Sequence, residues 1–371
     1  AYFAARVRSG AFRRQQLGTR GRAASRLQPP KGGTTNATSG AAWREAHRRL
    51  YEHLCATTKD KPDATLEDLQ PLYQAVAHGC QAGLHQEACD NVYFARIYRG
   101  DKAYSARKLG AFGSDLGAVV CFFESPWSRV SPTFTEADQA WLLNQAAAWL
   151  RALGRLTEAL EPMRVSGEMD VKVEQWKGAA TSYSNLSELK LTLGEVAGAV
   201  GDAEQSVSYA DRSGDAFVRQ SFRGTQAEVL HQAGRRAEAE ARFREAEQMQ
   251  AKRQPNYPLL YSFAGFRYCD LLLMEAERAA GLRIANRGLQ IADLIVACRA
   301  VTARAAQTLD WWTNHFTNAS PLDIAFDHLT LGRAALYAAI LEQSAIRNPQ
   351  SAIESAVSGL RRAGPQQMIP L

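Results

Sequence analysis

The chain has 371 residues, 46 % of them hydrophobic, which is enough to bury a long core. No apolar run approaches the ~18 residues needed to cross a bilayer, so no membrane span is expected. The net charge of +6 is uneven: residues 1–44 hold nine Lys or Arg and no acid, so the remainder carries −3, and a mildly acidic body gives no support to nucleic-acid binding.

Residues 1–42 combine that basic charge with Pro29-Pro30 and a polar stretch from Gly32 to Gly40. This composition predicts a disordered Arg-rich tail or linker. It also suits a mitochondrial transit peptide, although a linker is the plainer reading. The chain begins at Ala1 and stops at Ile369-Pro370-Leu371, where another helix could start, so a piece of a longer protein is expected.

From 43 to 371 the pattern is helical. Gly83 and Ala88 (AGLHQEA) open a motif that returns later. Residues 99–135 depart from it, with one helix predicted over Ala106–Phe123 and a loop around Pro126 and Pro132. Three segments then recur at a spacing of 40 residues: Leu153 to Ala159 (LGRLTEA), Leu193 to Ala199 (LGEVAGA) and Ala233 to Ala239 (AGRRAEA).

Aligned on Gly154, Gly194 and Gly234, further columns appear. Seven residues earlier sit Ala147, Ser187 and Ala227; five earlier, Trp149, Leu189 and Val229; one earlier, Leu153, Leu193 and Ala233. Such spacing predicts one buried helix face, ended by a glycine in the left-handed conformation. A second helix follows, with Ala159, Ala199 and Ala239, then Ser166, Ser206 and Ala246, where two backbones must approach closely. Each unit therefore reads as a helical hairpin, and stacked hairpins of about 40 residues form an α-solenoid. Beyond the core, Ala276 stands in for the glycine after an apolar helix over Leu259–Leu273. Residues 277–300 read as an inserted or lengthened helix, and Ala352 and Gly359 as the small columns of a last unit.

The order small, apolar, Gly, Ala five later and small seven beyond resembles the tetratricopeptide repeat (TPR) family, with a good match at the small positions and a poor one at the aromatic positions. The longer units look like the TPR arrays of bacterial STAND/NB-ARC-type signalling ATPases over Leu50 to Leu273. The resemblance implies an all-α, right-handed solenoid without enzymatic activity. Its function would be to hold a protein or peptide in a concave groove, as the ligand-sensing region of a larger signalling ATPase. A stand-alone TPR adaptor or co-chaperone is the alternative, and an all-helical enzyme or nucleic-acid-binding array a third reading.

No cofactor or metal is expected. The nearest candidate metal cluster is His78, Cys80, His85 and Cys89, but His78 and Cys80 are two apart on a helix and diverge by roughly 200°. Neither a phosphate-binding G-x-x-x-x-G-K-[ST] loop nor G-x-S-x-G nor H-E-x-x-H occurs. The six cysteines contain no CxxC pair and fall within predicted helices, which suits a reducing, cytoplasmic setting. Trp141 and Trp149, and Trp311-Trp312, are expected in the core, an exposed member being a docking hot spot instead.

In TPR proteins the first helix of each pair lines the groove. Carried over by resemblance, the groove positions here are Gln145, Asn185, Thr225 and Arg267; Glu188, Glu228 and Asp270; and Arg151 and His231. The acidic column Glu188, Glu228 and Asp270 is expected to favour a basic segment of a partner, unless these charges are merely solvated or paired, as Arg267 with Asp270.

Overall fold

The computed structural model describes residues 36–281, 291–316, 321–342 and 349–363. Most of the predicted tail lies outside the described residues. From Asn36 the chain is already helical (α1, Asn36–Thr57), short of the expected boundary at 42.

Thr65 starts α2 (Leu66–Gln81) with a capping box: its hydroxyl accepts from Asp68 N–H, and the Asp68 carboxylate accepts from Thr65 N–H at 2.9 Å. Gly83 turns left-handed at φ +84°, and a helical turn at His85–Glu87 runs into a π-helix, α3 (Ala88–Tyr98).

The irregular segment differs from the single helix predicted over Ala106–Phe123. It is broken into a short helix Tyr104–Arg107, then α4 (Phe112–Val119), a 3-10 turn Val120–Phe122 and an antiparallel ribbon of β1 (Phe123–Ser125) and β2 (Arg129–Val130). The fold is therefore helical but not purely so. The break has local causes: Gly110 is left-handed at φ +60°, and Trp127 at φ +62° closes the ribbon after Pro126. Asp115 anchors the segment from within, accepting from Tyr73 Oη at 2.7 Å and Ser105 Oγ at 2.8 Å. Burial pushes its pKa up to about 6.

The periodic core holds six helices: α5 (Glu136–Ala152), α6 (Leu156–Lys172), α7 (Trp176–Leu193), α8 (Val196–Ser213), α9 (Ala216–Gln232) and α10 (Arg236–Arg253). Gly154, Gly194 and Gly234 are left-handed, with φ of +75°, +86° and +76°. The residue after each closes the turn: Arg155, Glu195 and Arg235 donate N–H to the carbonyls of Leu150, Lys190 and Leu230, each at 2.9 Å. This Schellman geometry satisfies carbonyls that the helix end would otherwise orphan.

The small columns Ala147, Ser187 and Ala227, and Ala159, Ala199 and Ala239, are fully buried. Even the polar detail recurs: Ser166 Oγ donates to Ala140 O and Ser206 Oγ to Ala180 O, both at 2.8 Å. The column just before each glycine departs from expectation. Leu153 is 44 % exposed, and Leu193 and Ala233 are half-buried, because the residue before each glycine lies at the turn and not on the packed face.

Each first helix packs on its own second helix and on the next unit. α11 (Ser262–Gly281) continues through Ala276, which is buried mid-helix and does not end it. The helix predicted near 277–300 falls partly on 282–290, outside the described residues. α12 (Ile291–Asp310) ends in a π-turn at Trp311–His315, and α13 (Pro321–Leu341) pairs with α14 (Pro349–Ala363). Small residues again permit that crossing: a Cβ on Gly359 would lie 2.8 Å from Ala325 Cβ. Contrary to the sequence reading, α13 is long and apolar enough to cross a membrane, although its Asp327, Thr330 and Gly332 are buried among neighbouring helices.

Candidate functional site

A pocket of about 450 Å³ opens between the first helices of successive units. Ser184, Asn185 and Glu188 of α7 form one wall, and Phe217, Gln220, Ser221, Phe222, Gly224 and Thr225 of α9 the next. Gln250 and Arg253 of α10, Tyr261, Phe263 and Arg267 at the start of α11, and Trp312 complete it.

Local sequence explains this placement. Asp215 caps α9, accepting from Phe217 N at 2.9 Å and Val218 N at 3.0 Å, so Phe217 is held in the first turn, 58 % exposed at the pocket. The opposite wall begins where the chain turns sharply into α11. Ser262 is left-handed at φ +58°, and a Cβ on Gly265 would meet Leu260 O at 2.4 Å, so only glycine fits. Hydrogen bonds among lining residues and their neighbours fix the α10 end: Gln250 Nε2 donates to Tyr257 O at 2.9 Å, and Tyr261 Oη to Gln254 Oε1 at 2.9 Å.

Of the nine residues placed in the groove from sequence, four line the pocket: Asn185, Glu188, Thr225 and Arg267. Glu188 is the hub. Its carboxylate accepts from Arg151 Nη2 at 3.0 Å and from Arg267 Nη2 at 2.9 Å. Arg267 also stacks over the Phe263 ring, 3.8 Å from its centroid. Of the other five, Arg151 touches the pocket only through Glu188, and the rest do not line it. Gln145 is buried in α5. Glu228 accepts from Gln232 Nε2 at 2.9 Å and lies 4.0 Å from His231 Nδ1; burial pushes its pKa up. Asp270 pairs with Arg333 at 2.6 Å.

The acidic column is thus not a row of free carboxylates. Glu188 is held by two guanidiniums and Asp270 by another, so the column offers a basic segment little net charge. Arg267 pairs with Glu188 and not with Asp270, its neighbour in sequence.

Sequence reasoning missed Phe217, Arg253, Tyr261, Phe263 and Trp312. Phe217 carries a signal of its own, an aromatic directly inside an Asp cap, but Arg253 and Trp312 join the pocket only through distant packing. The candidate metal residues do not converge: His78 Nδ1 lies 2.8 Å from His47 Nδ1, and among the described residues no group of three or more His, Cys, Asp and Glu is placed to hold an ion. All six cysteines are free thiols, and burial pushes the Cys89 thiol up to about 12. Trp149, Trp311 and Trp312 are buried, and Trp141 is half-buried.

The arrangement suits binding: a preformed aromatic concavity with a few oriented polar groups and neither His nor Cys in its lining. No family model matches the chain, and no curated protein matches its sequence.

Proposed function

We propose that the chain is a non-enzymatic recognition scaffold, a right-handed TPR-like solenoid whose groove over α7, α9 and α11 captures a segment of a partner protein. The observation that carries this reading is Phe217, a large apolar side chain 58 % exposed at a pocket shared by three successive first helices. An exposed aromatic beside a preformed concavity is the typical anchor of an interface. The larger role is that of the ligand-sensing arm of a cytoplasmic signalling ATPase, and a free-standing adaptor is the alternative. An in-frame P-loop ATPase upstream of this sequence in its locus separates the two.

The binding reading is tested with peptides selected from a random display library on the whole chain. Phe217→Ala is expected to weaken their binding at least tenfold, since truncating an anchor costs about 2 kcal/mol. Thr225→Trp, which fills the pocket, should abolish it. Phe94→Ala, an exposed aromatic outside the pocket, should leave it unchanged. Peptides that bind both pocket variants as they bind the wild type would exclude the groove.

A further inference from the structure

We infer that the pocket among α7, α9 and α11 is a site for a small organic carboxylate on an aromatic or branched apolar body. The inference shares its pocket with the preceding proposal but needs no protein partner.

Arg253 carries the argument. Its Nη2 donates to Gln250 Oε1 at 2.8 Å, Gln254 Oε1 at 3.3 Å and Gln220 Oε1 at 3.4 Å, all neutral acceptors. Its Nε is buried without a partner, and Arg253 makes no ion pair among the described residues. The arginines around it are matched differently: Arg267 to Glu188, Arg223 to Asp211 and Glu245, Arg304 to Glu247. A guanidinium stays charged at any ordinary pH, and its planar fork of donors fits a carboxylate.

A second donor among the lining residues also lacks an acceptor. Trp312 is 9 % exposed, lines the same pocket, and its Nε1 has no hydrogen-bond partner. The charge agrees. The lining carries Arg253 and Arg267 against Glu188 alone, and Glu188 is also bridged by Arg151, so the pocket attracts an anion.

The walls specify the rest of the ligand. Phe217, Phe222, Tyr261 and Phe263 present aromatic surface, and the Arg253 guanidinium sits 5.3 Å from the Phe217 ring centroid. A volume of about 450 Å³ matches pockets for small molecules. Arg253 is the one lining guanidinium without a carboxylate partner, which favours a single carboxylate over a phosphate, whose greater charge demands several charged donors.

The test titrates the whole chain with 3-phenylpropionate, indole-3-acetate and 4-methylpentanoate, each beside its primary amide, by calorimetry. At least one acid is expected to bind at least tenfold tighter than its amide. Arg253→Gln should lose that preference, Arg253→Lys should keep part of it, and Phe217→Ala, at an exposed side chain, should weaken the acid without unfolding the chain. The inference is overturned if no acid binds, if acid and amide bind alike, or if folded Arg253→Gln binds as the wild type does. Binding only to peptides with a free C-terminal carboxylate would also overturn it while sparing the protein-binding proposal. Small acids that bind where no selected peptide does would leave this inference standing and sink that proposal.

Discussion

Glu188 and Arg267 are 79 residues apart, yet Arg267 Nη2 donates to Glu188 Oε1 at 2.9 Å. The bond skips the unit of α9 and α10 between them. The other Glu188 oxygen accepts from Arg151 of the preceding unit, so one carboxylate links α5, α7 and α11. These side chains are 7 % to 12 % exposed, and in such surroundings the loss of one partner leaves charges that water hydrates poorly.

Glu188→Gln is therefore expected to destabilise the chain by about 3 kcal/mol, the usual cost of stranding a buried ion. Urea unfolding followed by circular dichroism measures it. A loss under ~1 kcal/mol would mean that the pair behaves as an exposed one. Reversing charge at Glu188, Glu228 and Asp270 together should cost structure as well as binding, so that triple variant cannot isolate the groove.

Glu174 is the one non-glycine at the left-handed ends of the core helices. It occupies φ +57°, where Gly214 at φ +69° ends the corresponding helix of the next unit. Its side chain is exposed and its N–H bonds Val171 O, as the Schellman turn requires. Glu174→Gly should raise stability by about 0.5–1 kcal/mol, because a Cβ is disfavoured there. Gly194→Ala, the reverse change at a matching turn, should lower it by a similar amount. A fall in melting temperature for Glu174→Gly would show that the carboxylate matters more than the backbone.

Ser166→Ala removes the bond to Ala140 O but keeps a residue that the repeat tolerates, since Ala246 fills the same column two units on. The expected loss is about 1 kcal/mol, without change in helicity. Gly265→Ala is a harsher case. The added Cβ collides with the Leu260 carbonyl, so about 2–3 kcal/mol of overpacking is expected, together with a distorted pocket wall. Calorimetric melting of both variants ranks them, and equal losses would contradict the geometry.

Asp327 gives stability a pH dependence. Burial, with Asp323 nearby, pushes its pKa up to about 7 despite the hydrogen bond from Thr308 Oγ1 at 2.9 Å. An unfolded Asp titrates near ~3.9, so between that value and about 7 the native chain holds a proton that unfolding releases. Its contribution is complete below pH ~4 and is lost as pH rises through 7, with a slope of at most ~1.4 kcal/mol per pH unit. Asp327→Asn should remove that slope and be more stable than the wild type at pH 8. Denaturant midpoints of both from pH 4 to 8 decide it, and parallel curves would place the carboxyl in water.

The periodic core was legible in the sequence because its determinants are local. A left-handed glycine needs only its own helix end, and Ser166 or Ala159 needs only a neighbour within the same hairpin or the next helix. A spacing of 40 residues repeats those short-range demands, so the columns could be read in advance. The region of residues 99–135 escaped because Asp115 is held by Tyr73, outside any period, and the helix expected there broke around Gly110.

The site was only half legible, for a matching reason. The resemblance to TPR proteins, carried over column by column, implied a common surface for Asn185, Glu188, Thr225 and Arg267, and the structure brings these four to one pocket. It could not say that Glu188 spends its charge on Arg151 and Arg267, nor that Arg253 is left with neutral amides, nor that Trp312 reaches the same wall. Period and composition by themselves determined the hairpins and their close crossings. Which charges are paired within the protein and which face only neutral groups was decided by tertiary contacts, several of them between units far apart in the chain, which no local pattern encodes.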